Sequence, residues 1–136
     1  MSRENVEIVR RVYDAAARRD SGAVLALYDP GVELDMSRAP YGELIGRRVY
    51  HGHDGLRTFF REWYDAWEIV EPDVEELIDV GEHVISVETT RGRGRTSGIA
   101  VELQQYGIWT IHAGKIVRVA WLERRDEALA AVGLRE

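Results

Sequence analysis

The sequence predicts an α+β fold in which a curved, antiparallel or mixed sheet wraps around N-terminal helices and encloses a pocket. Helical patterns occupy the first part of the chain and long strand patterns the second, an order typical of α+β domains. Residues 108–134 then combine a strand, a tight turn, a second strand and a helical run that stops at Gly133. A sheet of long strands curls, and helices that close it leave a cavity. The length of 136 residues suits one domain over residues 1–136.

The chain begins with two helical patterns. Residues 5–19 carry apolar side chains at helical spacing and arginines on the opposite side. The apolar members are Val6, Val9, Val12, Tyr13, Ala16 and Ala17. Asp20-Ser21-Gly22 interrupts this pattern, and residues 23–28 form a second, shorter helix that ends at Asp29-Pro30-Gly31.

A short strand and an aromatic helix follow. Residues 32–36 alternate between apolar and polar side chains, which predicts a half-buried strand. Residues 37–46 are expected to form a loop, and residues 47–50 a short pairing strand. A third helix is indicated by apolar residues that share one stripe: Leu56, Phe59, Phe60, Trp63 and Trp67.

The second half of the chain reads as four strands and a closing helix. The strands are predicted over residues 74–80, 83–90, 99–111 and 116–122. A glycine-rich segment, Gly92-Arg93-Gly94-Arg95-Thr96-Ser97-Gly98, connects the second and third of them as a hairpin, since turns need backbone conformations that glycine tolerates.

The order and spacing of these segments resemble SnoaL-like (polyketide-cyclase-like) proteins of the NTF2-like superfamily. The resemblance covers residues 9–35, then His51-Gly52-His53-Asp54-Gly55 leading into the aromatic helix. It continues through the glycine-rich hairpin to residues 108–134. It implies a cone-shaped fold with an internal cavity, and it does not name a reaction.

Composition excludes several classes of protein. Eighteen Lys and Arg residues against 24 Asp and Glu residues give a net charge of −6, which disfavours binding to nucleic-acid phosphates. The absence of cysteine excludes disulfides, thiolate metal sites and a cysteine nucleophile. No apolar stretch reaches membrane-spanning length, and the first residues do not resemble a signal peptide. We therefore expect a cytoplasmic protein without membrane contact and without a cofactor.

The resemblance implies a carboxylate in the cone as a general base. In steroid-isomerase-like relatives this base lies on the first strand. Alignment on the preceding helix matches it to Asp35, and alignment on Val32 matches it to Leu34. Strand alternation directs Val32 and Leu34 to the core, and hence Asp35 outward unless a bulge intervenes. Asp35 is the predicted catalytic residue, with a solvated strand carboxylate as the alternative.

Other positions that such relatives use are filled differently in this chain. The oxyanion-binding tyrosine of the isomerases falls on Val12, one residue from Tyr13, and their second acid falls near Gly107. Cyclases of this fold place an acid on the last strand. Here the first acid in that region is Glu123. By strand parity its side chain could face the cone, and the alternative is a surface carboxylate that pairs with a neighbouring arginine.

Aromatic residues dominate the elements that wall the cone in relatives. They are Tyr13, Phe60, Trp63, Tyr106, Trp109 and Trp121. Gln105 lies on the strand face of Gly107 and Trp109, where its amide could orient a ligand. An apolar pocket with few polar groups suits a small hydrophobic or aromatic molecule. The alternative is that these rings fill the core.

A metal site is not expected. His51 and His53 form an H-x-H pair beside Asp54, but no cysteine or second histidine pair accompanies them.

Two functions therefore stay open, and whether the chain is an enzyme is one of the open points. The first is a lyase, isomerase or cyclase that uses Asp35 as base and Tyr13 or Gln105 as donor. The second is a non-catalytic ligand-binding or dimerisation module, which the missing acids favour.

A homodimer is expected in either case. Apolar residues occupy both parities of strand 99–111, which predicts that a second copy covers the outer face of the sheet.

Overall fold

The computed structural model describes residues 2–40 and 47–134 and contains four helices and six strands within them. They follow the predicted order of helices first and long strands second. The elements are α1 (Ser2–Ala17), α2 (Ser21–Ala26), β1 (Tyr28–Asp35), β2 (Val49–His51), α3 (Gly52–Ala66), β3 (Trp67–Val80), β4 (His83–Gly94), β5 (Ala100–His112), β6 (Lys115–Leu122) and α4 (Arg125–Ala131).

All six strands belong to one curved sheet with the order β2-β1-β6-β5-β4-β3. The pair β1–β6 is parallel, and the other neighbours are antiparallel. The parallel pairing places the first strand of the chain beside the last. The predicted α+β class and mixed sheet are confirmed.

The concave face of the sheet packs against α1 and α3. Val32 and Leu34 of β1 point to this face, as strand alternation predicts, and both are buried. Val9 of α1 and Leu56 of α3 meet them in the same apolar cluster. The amphipathic stripes read from the sequence are therefore the stripes that close the cone, except that Trp67, predicted on the stripe of the third helix, is the first residue of β3.

The short helix α4 packs on the convex face. Its Ala128 and Leu129 join a second apolar cluster with Ile85, Val87 and Ile108 of the strands. The apolar residues on the second parity of β4 and β5 are thus covered within one chain. The apolar residues of the outer face, which had indicated a second copy of the chain, are thus covered at least in part by α4 of the same chain.

Element boundaries differ from the prediction where the sequence lacks an alternating pattern. β3 begins at Trp67, not residue 74. It is an edge strand, and Glu68, Glu71 and Asp73 in its first half are exposed, so that half lacks the alternating pattern that would have predicted it. β1 begins at Tyr28, before the Pro30-Gly31 pair that had indicated a turn, and its pairing with β6 shifts register there. Of the loop predicted over residues 37–46, residues 41–46 lie outside the described part of the chain.

The turn that follows β4 matches the expected hairpin. Gly98 has a φ of +69°, a conformation that favours glycine, and Arg93 pairs with Ala100 across the turn. Among the described residues, no helix is long and apolar enough to cross a membrane.

Candidate functional site

A cavity of about 530 Å³ lies between the concave face of the sheet and the helices α1 and α3. Its volume falls within the range of small-molecule sites, roughly 300–1,000 Å³. Six of the seven residues that the sequence placed around the pocket line it: Tyr13, Phe60, Trp63, Gln105, Trp109 and Trp121. Their role in binding stays a prediction, but the structure brings them together around one space.

Trp109 of β5 is at the centre of the aromatic lining. Its ring centroid lies 5.9 Å from those of Tyr13 and Trp121 and 6.5 Å from that of Tyr28. Trp63 stacks on Phe59 of the same helix at 5.9 Å. Tilted and stacked rings at these distances are favourable contacts. The aromatic walls therefore support one another and do not need a ligand to hold them.

Four polar side chains form one part of the lining, which we call the polar wall: Tyr13, Glu88, Thr90 and Gln105. Glu88 is at its centre and is only 5% exposed. Its Oε2 accepts a hydrogen bond from Thr90 Oγ1 at 3.1 Å and another from Gln105 Nε2. Gln105 Nε2 also donates to Thr90 Oγ1 at 3.0 Å. The strands β4 and β5 thus present a carboxyl group to an otherwise mainly aromatic cavity.

Burial raises the pKa of Glu88 above its ordinary value. Hydrogen bonds from Gln105, Thr90 and Tyr13 act in the opposite direction, but removal of the carboxylate from water outweighs them. A carboxyl group with a raised pKa in a cavity can take up and release a proton closer to neutral pH than an exposed one.

Ser86, behind the polar wall, connects Tyr13 to Trp109. Its Oγ accepts from Trp109 Nε1 at 2.8 Å and from the Tyr13 hydroxyl at 3.2 Å. Burial, and then the charge of Glu88, raise the pKa of Tyr13 well above its usual range, so Tyr13 keeps its proton.

Gly107 makes room for this arrangement. A Cβ at Gly107 would lie 2.7 Å from Ser86 Oγ and 2.9 Å from Trp109 Nε1. The space beside Gly107 is therefore occupied by the Ser86–Trp109 hydrogen bond.

Asp35 lies on the opposite face of the sheet from the cavity. Its Oδ2 pairs with Arg118 at 2.8 Å, and its Oδ1 accepts from the Ser37 hydroxyl and backbone. Partial burial acts to raise the pKa of Asp35, but the Ser37 hydrogen bonds and the charge of Arg118 bring it below its usual range. The outward orientation follows from strand alternation, because Leu34 and Met36 on either side line the cavity. From this position the carboxylate does not reach a ligand in the cavity.

Other residues considered from the sequence also lie away from the cavity. Tyr106 faces α4 in the outer apolar cluster, and Glu123 is exposed. His51 is exposed at the start of α3, while His53 Nε2 lies 2.9 Å from the Tyr28 carbonyl oxygen. Within residues 2–40 and 47–134, no three His, Asp or Glu side chains are grouped so that they could hold a metal ion.

Glu88 is the site residue that the sequence analysis missed. Hairpin register would have identified it: the turn pairs Arg93 with Ala100, and the same register pairs Glu88 with Gln105. Directly paired residues share a face of the sheet. Because the sequence placed Gln105 on the inner face of the sheet, the hairpin register places Glu88 on the same face.

Comparison with known proteins agrees with the fold described above. A family model described as the SnoaL-like domain matches residues 9–119. No protein of curated function matches the sequence.

Three solved structures illustrate the structural likeness. An NTF2-like protein of unknown function from Burkholderia pseudomallei is 27% identical, with a TM-score of 0.76 over 96% of this chain and 98% of that chain. An NTF2-like protein from Burkholderia thailandensis is 29% identical, with a TM-score of 0.75 over 86% and 88% of the two chains. TerC, co-crystallised with polyporic acid, is 20% identical with a TM-score of 0.78 over 95% and 98%, and at that identity it indicates a shared fold only.

Proposed function

The chain belongs to the SnoaL-like domain family, and from that premise we propose that it binds a small hydrophobic or aromatic molecule in its cavity and transfers a proton to or from it through Glu88. The reaction class is that of a lyase, isomerase or cyclase. The observation that carries the proposal is the buried carboxyl group of Glu88 among aromatic walls.

The chemistry needs only the residues of the chain. The Glu88 carboxylate removes a proton from the ligand, and the electron pair of the broken bond stays on the ligand. The protonated carboxyl group then returns the proton to another atom of the ligand or to its leaving group. Burial raises the pKa of Glu88, which makes its carboxylate a stronger base than an exposed one. Thr90 and Gln105 fix the orientation of the carboxyl group while this happens.

A matched pair of variants tests which carboxylate is the base. Purified protein is screened with aromatic ketones, epoxides and β-keto compounds by thermal shift, and stabilising compounds are incubated and analysed for products. For any compound that turns over, Glu88→Gln should reduce kcat by about 100-fold or more, the usual range for loss of a general base. Asp35→Asn should change kcat little, since Asp35 faces away from the cavity. Loss of turnover in Asp35→Asn with normal turnover in Glu88→Gln would contradict the proposal and support the original assignment of Asp35.

A non-catalytic binding module is the alternative function. It is favoured by the hydrogen bonds of Glu88, because Oε2 already receives two protein donors, as expected for a buried polar group that serves structure. Stabilisation by aromatic compounds without product formation across the three compound classes would support binding alone.

A further inference from the structure

The donor hydrogens of the polar wall already form hydrogen bonds within the protein. Both hydrogens of Gln105 Nε2 have acceptors, Glu88 Oε2 and Thr90 Oγ1. The hydroxyl hydrogen of Thr90 is donated to Glu88 Oε2. The hydroxyl of Tyr13 has one hydrogen, which goes to Ser86 or to Glu88. A ligand at this wall therefore finds no donor that it could use without breaking a protein hydrogen bond.

Some hydrogen-bond acceptors of the polar wall, in contrast, remain available to a ligand. Both bonds from Thr90 and Gln105 reach Oε2 of Glu88, so neither engages Oε1 of the same carboxyl group, and Glu88 lines the cavity. The amide oxygen of Gln105 receives no hydrogen bond from the described residues, and Gln105 lines the cavity. A carboxylate oxygen and an amide oxygen are strong acceptors that a donor on a ligand can reach from the cavity.

We propose that the ligand presents a hydroxyl group, whether phenolic, enolic or alcoholic, to the polar wall and donates its hydrogen to Glu88. An ether at the same place offers only an acceptor and meets acceptors, whereas an enolised ketone offers a hydroxyl group. Arg19 and Trp121 also line the cavity and carry donors, but they are not part of the polar wall. Tyr28 lines the cavity too, and its hydroxyl can donate or accept, so it does not discriminate between these groups. The inference rests on the proposed ligand-binding function of the cavity and adds the functional group that the ligand must carry.

The variant Glu88→Gln tests this directly because its orientation is fixed by its neighbours. Thr90 and Gln105 both donate to the Oε2 position, so the carbonyl oxygen of a glutamine should occupy that position. Its amide nitrogen then takes the Oε1 position and turns a hydrogen toward the cavity. The substitution keeps the shape of the side chain and converts the acceptor that faces the ligand into a donor.

The test compares 2-naphthol with 2-methoxynaphthalene, which share a ring system and an oxygen but differ in the hydroxyl hydrogen. Dissociation constants are measured by isothermal titration calorimetry in mildly alkaline buffer, which favours the carboxylate form of Glu88. The native chain should bind the naphthol about ten-fold or more tightly than the ether, as expected for a hydrogen bond to a charged group. In Glu88→Gln the preference should disappear or invert.

Thr89→Val is the matched control, because Thr89 is the next residue of β4 and points to the outer face, where it bonds Glu75. It should keep the preference of the native chain. Equal binding of the two compounds by the native chain, or an unchanged preference in Glu88→Gln, would overturn the inference and leave the cavity as a binding site. Binding of neither compound would count against the inference and against the proposed aromatic ligand together.

Discussion

Glu88 occupies a position that costs free energy when its carboxyl group is charged. Strand alternation sends it to the concave face between Ser86 and Thr90, where water is excluded. Burial of an ionised carboxylate is unfavourable unless hydrogen bonds compensate, and the raised pKa shows that they do so only in part. Ionisation of a group at this position therefore opposes folding, and a raised pKa of this kind is typical of residues in functional sites.

The pH dependence of stability should reveal this cost. Because the folded pKa of Glu88 is above its ordinary value of 4.5, folded protein holds the proton more tightly than unfolded protein. The resulting contribution to the free energy of unfolding is fully present below pH 4.5 and is lost as the pH rises through the folded pKa. It amounts to about 1.4 kcal/mol for each unit by which the folded pKa exceeds the unfolded one. Urea unfolding of the native chain and of Glu88→Gln across this range measures it. The native chain should lose stability relative to the variant as the pH rises.

Asp35 acts in a separate pH range, so the two effects can be distinguished. Its pKa is lowered, and its contribution is therefore present above its ordinary value of 3.8 and lost only below it. A constant difference between the native chain and Glu88→Gln above pH 4.5 would show that the Glu88 carboxyl is not perturbed by burial.

The two carboxylates also show what the sequence could predict at the residue scale. Alternation around Val32 and Leu34 was enough to orient Asp35 outward, since apolar neighbours fix the face of a half-buried strand. Glu88 was missed because apolar residues occupy both faces of β4: Val84 packs inward and Ile85 outward. In such a strand the pattern does not indicate which face holds a cavity, and only pairing with Gln105 does.

At the scale of elements, β4 and β5 are joined on their concave face by the Trp109–Ser86 hydrogen bond, and Gly107 should be the residue that permits it. Gly107→Ala would place a Cβ within 3.0 Å of Ser86, Trp109 and Trp121. Overpacking of this kind costs about 1–3 kcal/mol. Denaturant unfolding should show that loss, and tryptophan fluorescence should shift as the indole of Trp109 moves.

Gly22→Ala in α2 is the control for this prediction. Its Cβ would come no closer than 3.8 Å to a neighbouring atom, and alanine favours a helix more than glycine does. It should leave stability unchanged or raise it slightly. Equal stability of Gly107→Ala and the native chain would mean that the strands adjust without cost.

Whole elements could be predicted where the apolar residues of a segment follow one periodicity, either helical or alternating. The stripes of α1 and α3 and the alternation of residues 32–36 gave the right type of structure in the right order. The first half of β3 was missed because an edge strand with exposed Glu71 and Asp73 has no apolar face to produce a pattern. The outer position of α4 follows from packing, and its sequence alone does not say which face of the sheet it covers.

At the scale of the molecule, the outer face has an apolar part under α4 and a polar part beyond it. In the polar part Arg91 bridges Asp73 at 3.5 Å and Glu102 at 3.3 Å across three strands. Glu75 accepts from Gln104 at 3.2 Å in the same region and also bonds Thr89. A surface of this kind is matched in charge within the chain.

We propose that this polar outer face forms the contact of a homodimer. Static light scattering at micromolar concentration should give twice the 15.5 kDa of one chain. Arg91→Glu leaves Asp73 and Glu102 without their cation and adds a third negative charge, so two such faces should repel each other and give a monomer at low salt. A mass of 15.5 kDa for the native chain at low salt would contradict the dimer.

The parallel pairing of β1 with β6 has a consequence for the order in which the protein forms during synthesis. Glu33 and Arg118, which pair across these strands, are 85 residues apart. Until the ribosome has delivered β6, β1 and β2 have no sheet to join, and the apolar stripes of α1 and α3 face an incomplete wall. Contacts of such long sequence separation close late and slow folding. The cavity, whose wall includes Trp121 of β6, therefore forms only after β6 has left the ribosome.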